Sequence, residues 1–166
     1  AYSPSTPLYL EATAESGFER FGGIWRVDTS DAPDRDHTVA VDLDGRLDPG
    51  RGYAYRFVYG DTRGPVGRFR TLPAPSASPD RLRFGLFTCQ DYLNGYYGAF
   101  GRAAHDDLDW LLHLGDFIYE YGGTSEYDGR DVDLPSGHGK AWSLEDFRHL
   151  YRTYRSDPLL QAGLAS

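Results

Sequence analysis

The stretch Arg81–Tyr121, RLRFGLFTCQDYLNGYYGAFGRAAHDDLDWLLHLGDFIYEY, constrains the fold most, because two short apolar runs each stop on a polar cluster. Leu82, Phe84, Leu86 and Phe87 lead into Thr88-Cys89-Gln90-Asp91, and Trp110–Leu114 leads into Gly115-Asp116-Phe117-Ile118-Tyr119. Gly95–Asp107 lies between them and is long enough for a crossover helix. Two strands joined by a helix are usually parallel and adjacent, and ligand sites in such sheets lie at the carboxyl ends of the strands. The pattern therefore sets Cys89 and Asp116 at one sheet edge, with Tyr119 a short turn further on. A thiolate, a carboxylate and a phenolate there suit a hard metal ion, and iron(III) is the common ion that most favours phenolate.

The chain before this unit reads as all-β. Leu8–Ala14 alternates weakly, Ile24–Val27 is a short strand candidate, and Thr38–Leu43 alternates with period two. Gly52–Tyr59 alternates most clearly, with Tyr53, Tyr55, Phe57 and Tyr59 on one side. Gly60–Gly64 is a hairpin-like connection, and Val66–Leu72 closes the set. In Leu47-Asp48-Pro49-Gly50-Arg51-Gly52-Tyr53, Pro-Gly suits a tight turn, and the whole resembles the tyrosine corner of fibronectin-type sandwiches, with Tyr53 folding back onto backbone. Residues 1–72 are thus expected to form an immunoglobulin- or fibronectin-like β-sandwich, 73–80 a Pro-rich linker, and 81–166 the first βαβ portion of an α/β catalytic domain.

Beyond Tyr121, Gly122–Ala141 is rich in Gly, Asp and Ser and reads as a long solvated loop. Within it, His138 is a weaker candidate for a place near a substrate phosphate, beside Lys140. Ser143 reads as the N-cap of an amphipathic helix carrying Leu144, Phe147, Leu150, Tyr151 and Tyr154 to about Arg155. Asp157-Pro158 ends it, and Leu159–Ala165 begins another. Asp91 and Asn94 are weaker ligand candidates that serve equally well as caps of the following segment, and His113 is expected to be structural.

Composition narrows the partners. The net charge of -8 argues against a nucleic-acid backbone or an anionic membrane as the main partner. It leaves open a phosphoester held through metal ions. No run approaches the about 20 apolar residues of a membrane span. The chain starts on Ala1 and shows no signal peptide, so any export signal is expected to lie outside it. One cysteine excludes an intrachain disulfide. Its place at a strand end favours a ligand over the usual small buried hydrophobe.

The pieces FTCQDYLNGYYGAF, DLDWLLHLGDFIYEYG and EDFRHLYRTYRSDPLLQA resemble the PhoD-type alkaline phosphatases and phosphodiesterases, a branch of the calcineurin-like metallophosphatases. The Gly-Asp-x-x-Tyr motif at Gly115–Tyr119 is shared with other iron-containing members. The resemblance implies hydrolysis of phosphomonoesters or phosphodiesters, an iron(III) and calcium cofactor set, and Cys89, Asp116 and Tyr119 as metal ligands, with Asp116 bridging. It also implies export from the cytoplasm to a secreted, periplasmic or wall-associated location. The family's further Asp, Asn and His ligands belong to a region beyond the matching segment. Residues 1–166 are therefore expected to hold part of the site and to be inactive without the C-terminal half of the catalytic domain. The alternatives are a non-catalytic truncated paralogue binding a cell surface or glycan through its β domain, and a non-hydrolytic metal protein using only Cys89, Asp116 and Tyr119.

Overall fold

The computed structural model describes residues 5–14, 18 and 22–165. Strands β1 (Leu8–Thr13), β2 (Gly23–Val27), β3 (Gly52–Tyr59), β4 (Thr62–Arg63) and β5 (Gly67–Arg70) form one five-stranded antiparallel sheet. β1 lies between β2 and β3, and both β4 and β5 pair with the far side of β3. Alternation along β1 turns Leu10 and Ala12 into the core, where Val27 and Tyr53 are also buried. Glu11 stands opposite Arg56 in the β1–β3 register, and their side chains pair at 2.7 Å. The β3–β4 hairpin turns at Gly60, whose φ of 55° favours glycine. Pro65 lacks an N–H and falls in the gap before the ladder resumes at Tyr55↔Gly67.

The corner before β3 forms as its sequence suggests. Tyr53 Oη accepts a hydrogen bond from Asp48 N at 3.0 Å, and Gly50 takes φ of 67° while its N–H reaches Leu72 O. Thr38–Leu43 departs from expectation. Its burial alternates with period two, yet it forms no strand. The alternation reports an extended segment with one drier side, which does not by itself supply a hydrogen-bonding neighbour.

The chain divides into two compact units, the first ending at Asp80 and the second spanning Arg81–Leu164. In the second unit, β6 (Phe84–Phe87) pairs in parallel with β7 (Trp110–His113), joined by α1 (Gly98–Ala103). α1 is six residues long, shorter than the Gly95–Asp107 span allows. The segment before it is held in a turn by Asp91, whose Oδ1 accepts from the N–H groups of Leu93 and Asn94. Helices α2 (Leu144–Arg155) and α3 (Pro158–Ala165) complete the unit. Its core gathers Leu93, Tyr97, Phe100, Val132, Leu134, Ala141, Leu150, Tyr154 and Leu160. α3 packs closely on α1: a Cβ on Gly163 would stand 2.8 Å from Phe100 O.

In two places this unit differs from what its sequence suggests. The loop 122–141 is not wholly solvated, because Val132 and Leu134 are core residues and Gly123 pairs with Val132. The buried stripe of α2 is Asp146, Leu150 and Tyr154, while Leu144, Phe147 and Tyr151 are exposed. A carboxylate on the inner face is tolerated because Asp146 completes a capping box with Ser143 and also accepts from the N–H groups of Ser136 and Trp142.

Candidate metal centre

β6 and β7 run parallel in the register Phe87↔His113, so the residues following them leave the sheet at one edge. The two turns are tied to each other: Cys89 N donates to Gly115 O at 3.3 Å and Gln90 N to Asp116 O at 3.2 Å. Gln90 is buried and bolts them a second time, its Nε2 donating to Phe117 O at 2.9 Å and its Oε1 lying 3.2 Å from His113 Nε2. His113 thus orients Gln90, while its ring stacks on Phe100 and meets Phe117 edge-on. Sequence reasoning assigns Gln90 no role; an amide directly after a strand-end cysteine is its only signal.

On this frame the three main candidates meet. Cys89 Sγ lies 3.5 Å from Asp116 Oδ2, and Tyr119 Oη lies 3.4 Å from the same oxygen. Thr88 Oγ1 is 3.3 Å from Cys89 Sγ. Cys89 and Asp116 both take positive φ, 54° and 53°, a state costly for residues with a Cβ and concentrated at functional sites. The Tyr119 phenol is pushed above its ordinary range by its hydrogen bond with Cys89, by desolvation and by the Asp116 charge. Without a cation the cluster therefore keeps its phenolic proton. A sulfur and a phenol oxygen each within 3.5 Å of the same carboxylate oxygen form a set of donor types that can hold a metal ion.

The weaker candidates lie in other arrangements. Asp91 Oδ2 accepts from Asn94 Nδ2 at 2.9 Å, and Asn94 Oδ1 accepts from Ser125 Oγ at 3.1 Å, so both engage in holding the loop. His138 sits edge-on to Trp142, with ring centroids 5.2 Å apart. Among the described residues, no three His, Cys, Asp or Glu side chains form one cluster. No helix of the described residues is long and apolar enough to cross a membrane.

An antiparallel β unit followed by a parallel βαβ unit with chemistry at its strand ends defines an α/β protein with an appended β domain. Residues 84–166 match the family described as PhoD-like phosphatase, and residues 4–73 match the PhoD-like phosphatase N-terminal domain. The chain belongs to the PhoD-like phosphatase family. It is 41% identical over 151 residues to alkaline phosphatase D of Bacillus subtilis (strain 168), covering 89% of this chain and 25% of that protein. A solved chain titled "Structure of PhoD" superposes with a TM-score of 0.81 at 34% identity, covering 96% of this chain and 30% of that one. The chain thus spans about a quarter of the curated relative's length.

Proposed function

We propose that this chain carries one edge of a metal-dependent phosphoester hydrolase site, in which Cys89, Asp116 and Tyr119 would hold iron(III), with calcium as the second ion of the set. The convergence of Cys89 Sγ and Tyr119 Oη on Asp116 Oδ2 carries this reading. When bound, the ions supply Lewis acidity that neutralises phosphoryl charge and lowers the pKa of a nucleophilic water. The chain's own residues hold that chemistry in place. Gln90 and His113 fix the spacing of the two turns, and Asp116 orients the thiol and the phenol. Both of those groups ligate as anions, so metal affinity rises with pH. Supporting the hydrolase reading is the family membership; supporting an iron ion is the phenol in the donor set.

The N-terminal unit is read as an immunoglobulin- or fibronectin-like domain on the strength of the Tyr53–Asp48 corner, its described strands forming one antiparallel sheet. The protein acts on phosphomonoesters or phosphodiesters outside the cytoplasm. Residues 1–166 by themselves have little turnover, because the ligand set described is partial.

Iron(III) titration of residues 1–166, with hydrolysis of a chromogenic monoester and diester, tests this. The expected result is a visible phenolate-to-iron band that Tyr119→Phe abolishes and Asp116→Asn weakens, with turnover near background. A chain that binds no iron, or a band that survives Tyr119→Phe, sinks the ligand assignment. Turnover that depends on Asp116 overturns only the claim of inactivity.

A further inference from the structure

The three main metal-ligand candidates are not held by the same means. Cys89 and Asp116 lie on turns bonded to each other through backbone, and Gln90 Nε2 adds a bond to Phe117 O at 2.9 Å. Tyr119 lies two residues further on, in neither a helix nor a strand. Just after it, Glu120 O accepts from Ala141 N at 2.7 Å. Between these two fixed points, Tyr119 N donates to a side chain, Tyr154 Oη of α2, at 3.3 Å. About one helical turn earlier on α2, the Tyr151 ring stacks on Phe117, with centroids 6.2 Å apart and planes 17° apart. The peptide that aims the phenol at Asp116 is therefore placed from α2.

Tyr154 is well fixed itself. It is 1% exposed and belongs to the stripe Asp146, Leu150 and Tyr154 by which α2 enters the core. The capping box at Ser143 and the bonds from Ser136 N and Trp142 N to Asp146 hold α2 at its start. The Tyr154 ring packs against Tyr92 and Tyr97, with centroids 5.3 Å and 6.3 Å away, and Tyr92 belongs to the segment that follows Cys89. Tyr97 supplies a contrast within the same core. Its hydroxyl is also buried, but it has no hydrogen-bond partner among the described residues. Of these two hydroxyls, the one on Tyr154 bonds to the backbone of a ligand candidate.

We propose that Tyr154 is the positioning residue for Tyr119: its hydroxyl fixes the Tyr119 peptide and thereby the reach of the phenol to Asp116 Oδ2. This rests on the metal-centre reading in one respect, that Tyr119 is a ligand. Tyr154 acts through the Tyr119 backbone, as an outer partner that orients a ligand. Loss of such partners typically lowers metal affinity by about 10- to 100-fold.

The test sets Tyr154→Phe against Tyr97→Phe, two deletions of a buried tyrosine hydroxyl from one core. The readouts are iron(III) affinity, the phenolate-to-iron band, and amide hydrogen exchange in the metal-free chain. In the wild type the Tyr119 amide is expected to be protected although it lies outside regular structure. In Tyr154→Phe it is expected to exchange roughly tenfold faster, with the Cys89 and Gln90 amides unchanged. Iron is expected to bind about tenfold more weakly. The band is expected to fall further than the iron bound, because Cys89 and Asp116 stay in place while the phenol drifts. Tyr97→Phe is expected to match the wild type in all three readouts. Equal losses in both variants, or a Tyr154→Phe chain whose iron band or Tyr119 exchange matches the wild type, overturn the proposal. So does an unprotected Tyr119 amide in the wild type, whether or not the variant folds. A chain that takes up no iron defeats the metal reading alone. The positioning of Tyr119 is then judged by amide exchange, where a selective effect of Tyr154→Phe sustains it and none overturns it.

Discussion

Cys89 and Asp116 adopt the same left-handed backbone state, φ of 54° and 53°, the first two residues and the second three residues beyond the ends of two paired parallel strands. Their turns are joined by the backbone bonds Cys89 N to Gly115 O and Gln90 N to Asp116 O. Asp tolerates that state better than Cys, so it is chiefly at Cys89 that packing and pairing hold the backbone against local preference.

This separates stability from binding at Cys89. Cys89→Gly removes the thiol but accepts φ of 54° freely, whereas Cys89→Ala removes the thiol and keeps the strain. Cys89→Gly is expected to be more stable than Cys89→Ala by about 1 kcal/mol. Both are expected to lose iron. Urea unfolding of the two metal-free variants checks the first claim, and equal midpoints would remove the case for strain.

Much of this arrangement is legible in the sequence because it follows from local pattern. Two apolar runs ending on Cys89 and Asp116, with a crossover between them, leave one topology, and that topology brings the three donors together. The corner at Tyr53 and the cap at Ser143 are likewise written in a few adjacent residues. Tertiary decisions are not. Thr38–Leu43 alternates correctly and forms no strand. Val132 and Leu134 enter the core from a stretch whose Gly, Asp and Ser content reads as solvent-facing, because two apolar residues suffice to dock a loop. On α2 the inward stripe passes through Asp146, a position that periodicity alone assigns to solvent.

Arg130 and Asp157 form a pair that no motif announces. The guanidinium bonds to the Asp157 carboxylate and to Tyr92 O, and lies 3.5 Å from the Tyr92 ring centroid. Asp157 in turn caps α3, its Oδ1 accepting from Leu159 N and Leu160 N. Both side chains are largely buried, so removing the cation strands a carboxylate inside the protein. Arg130→Ala is expected to destabilise the fold by about 3 kcal/mol, and Arg130→Lys to recover only part, since an ammonium lacks the planar fork. Denaturant midpoints of the three chains check this; a loss under about 1 kcal/mol in Arg130→Ala would show the pair to be solvated.

Acid sensitivity follows from Asp146 and Asp157. Burial alone would raise both carboxyls. For Asp146 the hydrogen bonds from Ser143, Ser136 and Trp142 outweigh it; for Asp157 those from Leu160, Arg130 and Leu159 do. Both are held below the usual value of 3.8 in the fold. A depressed carboxyl contributes stability that is present above its unfolded pKa and is lost as pH falls through the folded one. Stability from this source is therefore expected to be level from about pH 7 to about 5 and to decline below about 4. Asp146→Asn is expected to be less stable at neutral pH and to show a shallower decline in acid. Urea midpoints between about pH 2.5 and 7 check it, and parallel curves for the two chains would deny Asp146 the role.

The parallel pair β6–β7 is covered on one face only. Phe87 stacks on Phe100 of α1, while Phe84, Leu86 and Leu112 point to the opposite side and are exposed, with Leu114 just beyond. Leu86 is 63% and Leu114 68% exposed. Parallel sheets are ordinarily covered on both faces, since crossover helices lie over them, and burying one leucine side chain contributes roughly 2 kcal/mol. Purified residues 1–166 are therefore expected to bind a hydrophobic dye and to self-associate with rising concentration. Leu86→Lys combined with Leu114→Lys is expected to reduce dye binding several-fold and to shift association to at least about tenfold higher concentration, with unchanged circular dichroism. Sedimentation velocity across a concentration series checks it. A wild-type chain that stays monomeric and dye-negative would mean that this face is tolerated in water, and that the stacked Phe84 and Trp110 rings shield it well enough alone.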